Sequence, residues 1–286
     1  MIKIADTHEA VADPIHMQPI EDESVIKARE RRIAEARSLT LFSDVFMTVA
    51  LKDKAACQHV LRVLTGIKTL VVKEVRTQYR IAHITSHDAV LDVLAEDGDK
   101  RLINLEVQRA DTIDHARRTR FYGSMIDSEY LQKGKTYNEM PDVHIIYISE
   151  TDLWEAGKTT YQVKKYFENT DVPYDDGIYI LYVNAAVNDG SDTARLMEYF
   201  KTSDPNDFSQ GDLSKRVHVL KCEEGGYVEM CEISEKWYTE GRIEQAKETA
   251  YALADRKMTP ETISEIIQVS LSTVKQWLAD RPITAR

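Results

Sequence analysis

Residues 91–108 read LDVLAEDGDKRLINLEVQ. Two apolar runs flank the turn residues Asp97-Gly98-Asp99, the pattern of a β-hairpin. Each run carries a carboxylate where a core would take a hydrocarbon. Asp92 sits within Val90-Leu91-Asp92-Val93-Leu94, and Glu106 within Ile103-Asn104-Leu105-Glu106-Val107. An ionised carboxylate buried in such company is costly unless something compensates it. A bound cation is one such compensation.

Strand parity tests whether the two acids meet. Opposed residues of a hairpin share a face, so Asp92 faces Glu106 only if paired residue numbers sum to 198, which requires an odd loop. A loop of Gly98, Asp99 and Lys100 satisfies this, with Gly98 expected to supply the positive φ. Asn104, Glu106 and Gln108 then point to one face, and Ile103, Leu105 and Val107 to the other.

Two carboxylates, a backbone carbonyl between Glu106 and Gln108, and waters suit a hard divalent ion such as Mg2+, with Mn2+ as a substitute. Asp92, thirteen intervening residues and then Glu106-Val107-Gln108 resemble the D…(D/E)xK signature of the PD-(D/E)xK nucleases, with Gln in place of Lys. The resemblance is closest to the branch called PD-(D/E)xK nuclease family transposases, related to the recombination-promoting nucleases. It extends over roughly residues 38 to 222. Leu41-Phe42-Ser43-Asp44-Val45-Phe46-Met47-Thr48 is similar to the opening helix, Arg76-Thr77-Gln78-Tyr79 to the first core strand, and Asn104-Leu105-Glu106-Val107-Gln108-Arg109-Ala110-Asp111 to the catalytic strand and its exit. Arg117-Arg118-Thr119-Arg120-Phe121-Tyr122 is similar to the basic-aromatic helix that follows.

The resemblance implies an α/β, restriction-endonuclease-like core: a central mixed sheet of about four to five strands flanked by helices in αβββαβ order, with a C-terminal helical extension. It implies a DNA endonuclease in which Asp92, Glu106 and the Val107 carbonyl hold the metal ion and Gln108 takes the catalytic place of Lys. Asp44 is a candidate additional acid, because some members draw one from the first helix; a helix cap is the alternative. Gln has no charge, so it can orient water or phosphate but cannot neutralise a transition state. The branch often carries Gln here.

The 286 residues, 43% hydrophobic and 30% charged, fit one sizeable core plus an appendage. No apolar run is long enough to cross a membrane. The opening MIKIADTHEAVADP lacks the basic start and apolar stretch of a secretion signal. Cys57, Cys222 and Cys231 show no C-x-x-C spacing and read as reduced thiols of a cytoplasmic protein. His218, Cys222 and Cys231 give only a thin zinc pattern. The net charge of −11 is the wrong sign for a protein wrapped in nucleic acid, but affinity follows local fields. Between Lys100 and Tyr122 the balance reverses: Lys100, Arg101, Arg109, Arg117, Arg118 and Arg120 stand against Glu106, Asp111 and Asp114.

Along the chain, residues 1–37 read as a loose tail and a charged helix from Ser24 to Arg37, residues 38–222 as the nuclease-like domain, 223–258 as a helical connector and 259–286 as a helix-turn-helix-like tail. Within the domain, Asp44 to Leu64 is expected as a helix broken near Asp53 and closed by Gly66. Lys68 to Ile81 is expected as a strand, and His83 and His87 as loop residues of the surface rather than a base. The helix from Thr112 to Leu131 puts Arg118 and Tyr122 on the side of Met125, with Arg117 and Arg120 on another side. Contact of Arg109, Arg117, Arg118, Arg120 and Tyr122 with DNA phosphates is the favoured reading; the alternative pairs Arg118 with an internal acid such as Glu106.

Val143–Ser149 and Ile178–Val183 are apolar runs of strands covered on both faces. Trp154, Tyr161, Tyr166 and Phe167 are expected in the core and a variable loop region rather than as a base-stacking platform. Tyr227 to Arg256 is helical, interrupted by Gly241. Two short helices follow, and in the second Ser272, Thr273, Lys275 and Gln276 could touch DNA. A packing or homodimerising tail is preferred, because basic residues are few. Two rivals to the endonuclease remain: a catalytically weak or inactive DNA-binding regulator, and a protein-interaction module that keeps the nuclease fold as scaffold.

Overall fold

The computed structural model describes residues 27–281 except 28, 29, 32, 35, 36, 83–87, 110–113 and 132. The tail expected over residues 1 to 22, and His83 and His87, lie outside the described residues.

The expected first helix is two, α1 (Asp44–Leu51) and α2 (Lys54–Thr65). They divide where Asp53 caps α2, its carboxylate accepting from the Ala56 N–H at 2.9 Å, and α2 ends on Gly66 in the left-handed region, φ 72°. Three antiparallel strands follow: β1 (Val72–Ile81), β2 (Ala89–Asp97) and β3 (Leu102–Gln108). Helix α3 (His115–Tyr130) crosses over to β4 (Val143–Ser149), parallel to β3. A short β5 (Thr160–Gln162) leads to β6 (Ile178–Asn184), which lies parallel to β4. The six-stranded mixed sheet runs β1-β2-β3-β4-β6-β5. The αβββαβ order holds; the extra strand is β5, three residues at the sheet edge, too short for a period-two pattern to reveal.

Two cores sandwich the sheet. On one face Phe46, Met47, Leu61 and Leu64 of α1 and α2 meet Val93, Ile103, Leu105, Ile146 and Ile148. They are joined by Leu196 and Phe200 of α4 (Asp192–Thr202) and Val217 and Leu220 of α5 (Gly211–Cys222). On the other face Met125 and Ile126 of α3 cover Leu91, Leu94, Leu102, Val143 and Ile145. Each such side chain taken out of water contributes about 1.5–3 kcal/mol, which is why β4 is apolar almost throughout. Gly123 lets α3 approach closely: a Cβ there would stand 3.3 Å from Ile145 Cδ1. That approach brings Arg118 and Tyr122 over the strand that carries Glu106.

The β2–β3 hairpin has the expected loop, with Asp97 N–H donating to the Arg101 carbonyl at 3.1 Å. The left-handed residue is Lys100, φ 65°, rather than Gly98. In a three-residue hairpin loop a type I turn is followed by one αL residue, so the third loop position takes the positive φ. The turn holds because buried Asp97 accepts from the N–H groups of Asp99 and Arg101 and from Arg101 Nε at 2.7 Å. Lys100→Gly should therefore stabilise the chain by roughly 0.5–1 kcal/mol in urea denaturation; a loss of stability would show that the lysine side chain supports the turn.

Helix α6 (Glu224–Asp255) passes through Gly241 without the expected break, since one glycine weakens a helix by only about 1 kcal/mol. Its end packs through Ala250 against Ile263 of α7 (Pro260–Ile267) and Val274 of α8 (Leu271–Ala279), with a turn at Gln268, φ 55°. Lys275, a candidate DNA contact, pairs at the surface with Glu261 at 3.1 Å. Tyr166 and Phe167 are about half exposed and belong to the loop region, not the core. Trp154 packs edge-on against Tyr182 and His115.

Candidate active site

The antiparallel register of β2 and β3 pairs Leu94 with Asn104 and Val93 with Leu105. One step further along the same register stand Asp92 and Glu106, where backbone pairing gives way to side chains. The Asp92 N–H donates to Glu106 Oε1 at 3.2 Å, and the Val107 N–H donates to Asp92 Oδ2 at 3.0 Å. Each carboxylate thus holds the backbone of the opposite strand, which fixes both at the end of β3. The Gln108 carbonyl accepts from Glu150 across the parallel ladder, so by alternation the Val107 carbonyl is directed toward β2, the side of Asp92.

Glu106 is 1% exposed. Burial, and then the charge of Asp92, push its carboxyl well above the ordinary range. Asp92 is half-buried and is itself pushed up to about 6, chiefly by burial. The Val107 N–H holds it down, the charge of Asp44 raises it, and Gln78 and Arg118 lower it. Two acids that feel each other's charge, both reluctant to ionise, are the electrostatic pattern of functional sites. Asn104, fully buried on the same face, lies beside Glu106, yet neither its Nδ2 nor its Oδ1 makes a hydrogen bond of normal geometry.

The remaining predicted residues divide by position. Gln108 Oε1 accepts from Arg118 Nη1 at 3.0 Å. Arg118 therefore does not bond Glu106, as the alternative reading had it; its guanidinium docks on Gln108, within 3.9 Å of Asp114, and its charge is felt by both acids. Tyr122 turns inward beside them, its hydroxyl pKa raised by burial and then by Glu106. Arg109, Arg117 and Arg120 are exposed at the strand exit and along α3. Asp44 is exposed in the first turn of α1, behind the N-cap Ser43, so it is not the cap.

A family model described as PD-(D/E)XK nuclease family transposase matches residues 58–202. The chain belongs to this family. No curated protein and no solved structure matches it. The matched span begins inside α2 and ends with α4, so it contains the whole sheet, both acids and α3.

PD-(D/E)XK nucleases generally use divalent metal ions, and the residues here fit one. The ligands are all oxygen, and the two carboxylates face each other where burial disfavours their charge. A Mg2+ ion, which keeps several waters, needs only one or two protein carboxylates. Among the described residues no group of three or more His, Cys, Asp or Glu side chains is placed to hold a metal, so Asp44 acts on Asp92 from a distance. The zinc pattern is not assembled either: the His218 ring is taken by the Pro205 carbonyl at 2.8 Å, and Cys222 is exposed.

Two participants carried no signal in the sequence. Gln78 reaches Asp92 Oδ1 with its Nε2 at 3.3 Å, and Thr48 lies 3.5 Å from the same Nε2. A polar residue in a half-buried strand looks like any solvated one until its partner is known.

Proposed function

We propose that the protein is a Mg2+-dependent DNA endonuclease, with Mn2+ as a working substitute, serving recombination, transposition or defence against mobile DNA in the cytoplasm. The observation that supports this reading is the pair of carboxyls that both resist ionisation, each bonded to the backbone of the other's strand, at the strand exit that also carries exposed arginines. Asp92, Glu106 and the Val107 carbonyl are the ligands, and Asp44 adds negative charge at the rim. The bound ion supplies Lewis acidity to the scissile phosphate and an acidified water.

The chain's own residues do the rest. Gln108 orients the water or the phosphate with its amide. Arg118, held on that amide, brings a fixed positive charge to the place where the superfamily's Lys would stand, so the site keeps a cation although its motif lacks one. Arg109, Arg117 and Arg120 hold the DNA backbone by its phosphates, without reading sequence. Tyr122 closes the inner wall, where its buried ring keeps water away from Glu106.

The test is conversion of supercoiled plasmid to nicked or linear forms by the purified chain. Conversion is expected with Mg2+ or Mn2+ and is expected to stop with a chelator. A folded protein that leaves the plasmid intact with both ions overturns the proposal.

A further inference from the structure

Gln78 lies in the middle of β1 with φ 50°, a left-handed backbone that a glutamine adopts only at a cost of about 1–3 kcal/mol. The β1–β2 ladder pairs Thr77 with Val93 and Tyr79 with Leu91, and backbone pairing passes over Gln78 and Asp92 between them. The side-chain alternation breaks at the same point. Arg76 and Tyr79, three residues apart, both reach α3, through Tyr130 and Glu129. Across from them Leu94 and Leu91, also three apart, both enter the core beneath α3. A regular strand would send residues three apart to opposite faces.

The break frees the Gln78 side chain to reach both the site and α1. Its Nε2 donates to Asp92 Oδ1 at 3.3 Å and stands 3.5 Å from the hydroxyl oxygen of buried Thr48. Thr48 is one helical turn beyond Asp44, so the link also ties β1 to the helix whose acid raises Asp92 from a distance. Asp92 is then gripped on both oxygens, Oδ1 by Gln78 and Oδ2 by the Val107 N–H. We propose that Gln78 is a positioning residue, and that the strained turn in β1 exists to aim its amide at Asp92 and present that carboxylate to the metal ion. The inference rests on the reading of Asp92 and Glu106 as metal ligands.

The strain supplies its own control. Glycine accepts the left-handed backbone without cost and removes the amide, so Gln78→Gly separates a role in folding from a role in ligand positioning. The variant is expected to melt at or above the wild-type temperature. It is also expected to bind Mn2+ about tenfold more weakly by calorimetry and to lose about tenfold in kcat, with KM for DNA unchanged, as removal of a residue that orients a ligand does. Gln78→Gly with wild-type Mn2+ affinity and kcat overturns the proposal. Should that variant melt lower than wild type, Gln78→Met keeps the length and deletes only the donor; the same tenfold losses support the role, and wild-type values refute it. The Mn2+ titration separates the two readings. A wild type that binds Mn2+ but cuts nothing sinks the nuclease assignment while Gln78 is still judged on affinity, and a wild type that binds none sinks both.

Discussion

Glu106→Gln is expected to abolish DNA cleavage, by roughly 10³-fold or more, and at the same time to raise the melting temperature of the metal-free protein. Glu106 is 1% exposed, its charge disfavoured by burial and by Asp92. Glutamine keeps the oxygen that accepts from the Asp92 N–H and removes the charge. Asp92→Asn should stop cleavage alike, but with a smaller gain in melting temperature, because both Asp92 oxygens accept from N–H donors, Gln78 and Val107, and an amide offers only one acceptor oxygen. Asp92 is held at about 6, well above its ordinary 3.8. At pH 8 the cost of ionising it in the folded chain corresponds to about 2–3 kcal/mol, which the amide relieves. Thermal melts and plasmid assays on the same preparations check both halves. A variant that melts lower while cutting normally would show that the acids are structural.

Mg2+ is expected to raise the melting temperature strongly at pH 8 and hardly at pH 5. Both carboxyls bind protons more tightly folded than unfolded, so their contribution to stability is complete below about pH 4; that of Asp92 is lost as pH rises through about 6, and that of Glu106, whose carboxyl is also raised by burial and by Asp92, is lost as pH rises through its own elevated folded value. The metal-free protein therefore weakens over that window. A divalent ion needs the ionised forms, so it binds where the protonated forms have been lost. An ion at about 100 times its Kd adds roughly 2.7 kcal/mol, or about 5–10 °C for a chain of this size. Differential scanning fluorimetry at the two pH values reads this directly. Equal stabilisation at both, or the same shift in Asp92→Asn, would place the ion elsewhere.

Much of the site was legible in the amino-acid order because its determinants are local. Hairpin parity placed Asp92 opposite Glu106, since a strand's side-chain period is two and an odd loop conserves it. Apolar runs marked β4 and β6 because strands covered on both faces have no polar side to show. Asp53 and Gly66 marked the limits of α2 because orphan backbone groups at helix ends need partners. The hairpin and α3, which lie within the matched span, pointed to the family; the opening segment, residues 41–48, lies before it.

Other features belong to the tertiary structure. The positive φ fell to Lys100 because the loop class, not the residue, assigns it. Gly241 is carried through α6 because one weak position does not end a long helix. Arg118 chose Gln108 over Glu106 because α3, seated on Gly123, sets its guanidinium above the end of β3. Gln78 became a partner of Asp92 only once β1 and β2 were paired and α1 was laid across them. Chain order determines which groups share a strand face or a helix turn, since those periods are fixed by the backbone. Which groups from separate elements touch, and how far a neighbour's charge moves a buried carboxyl, is decided by packing, because both depend on distances that exist only after the sheet is covered.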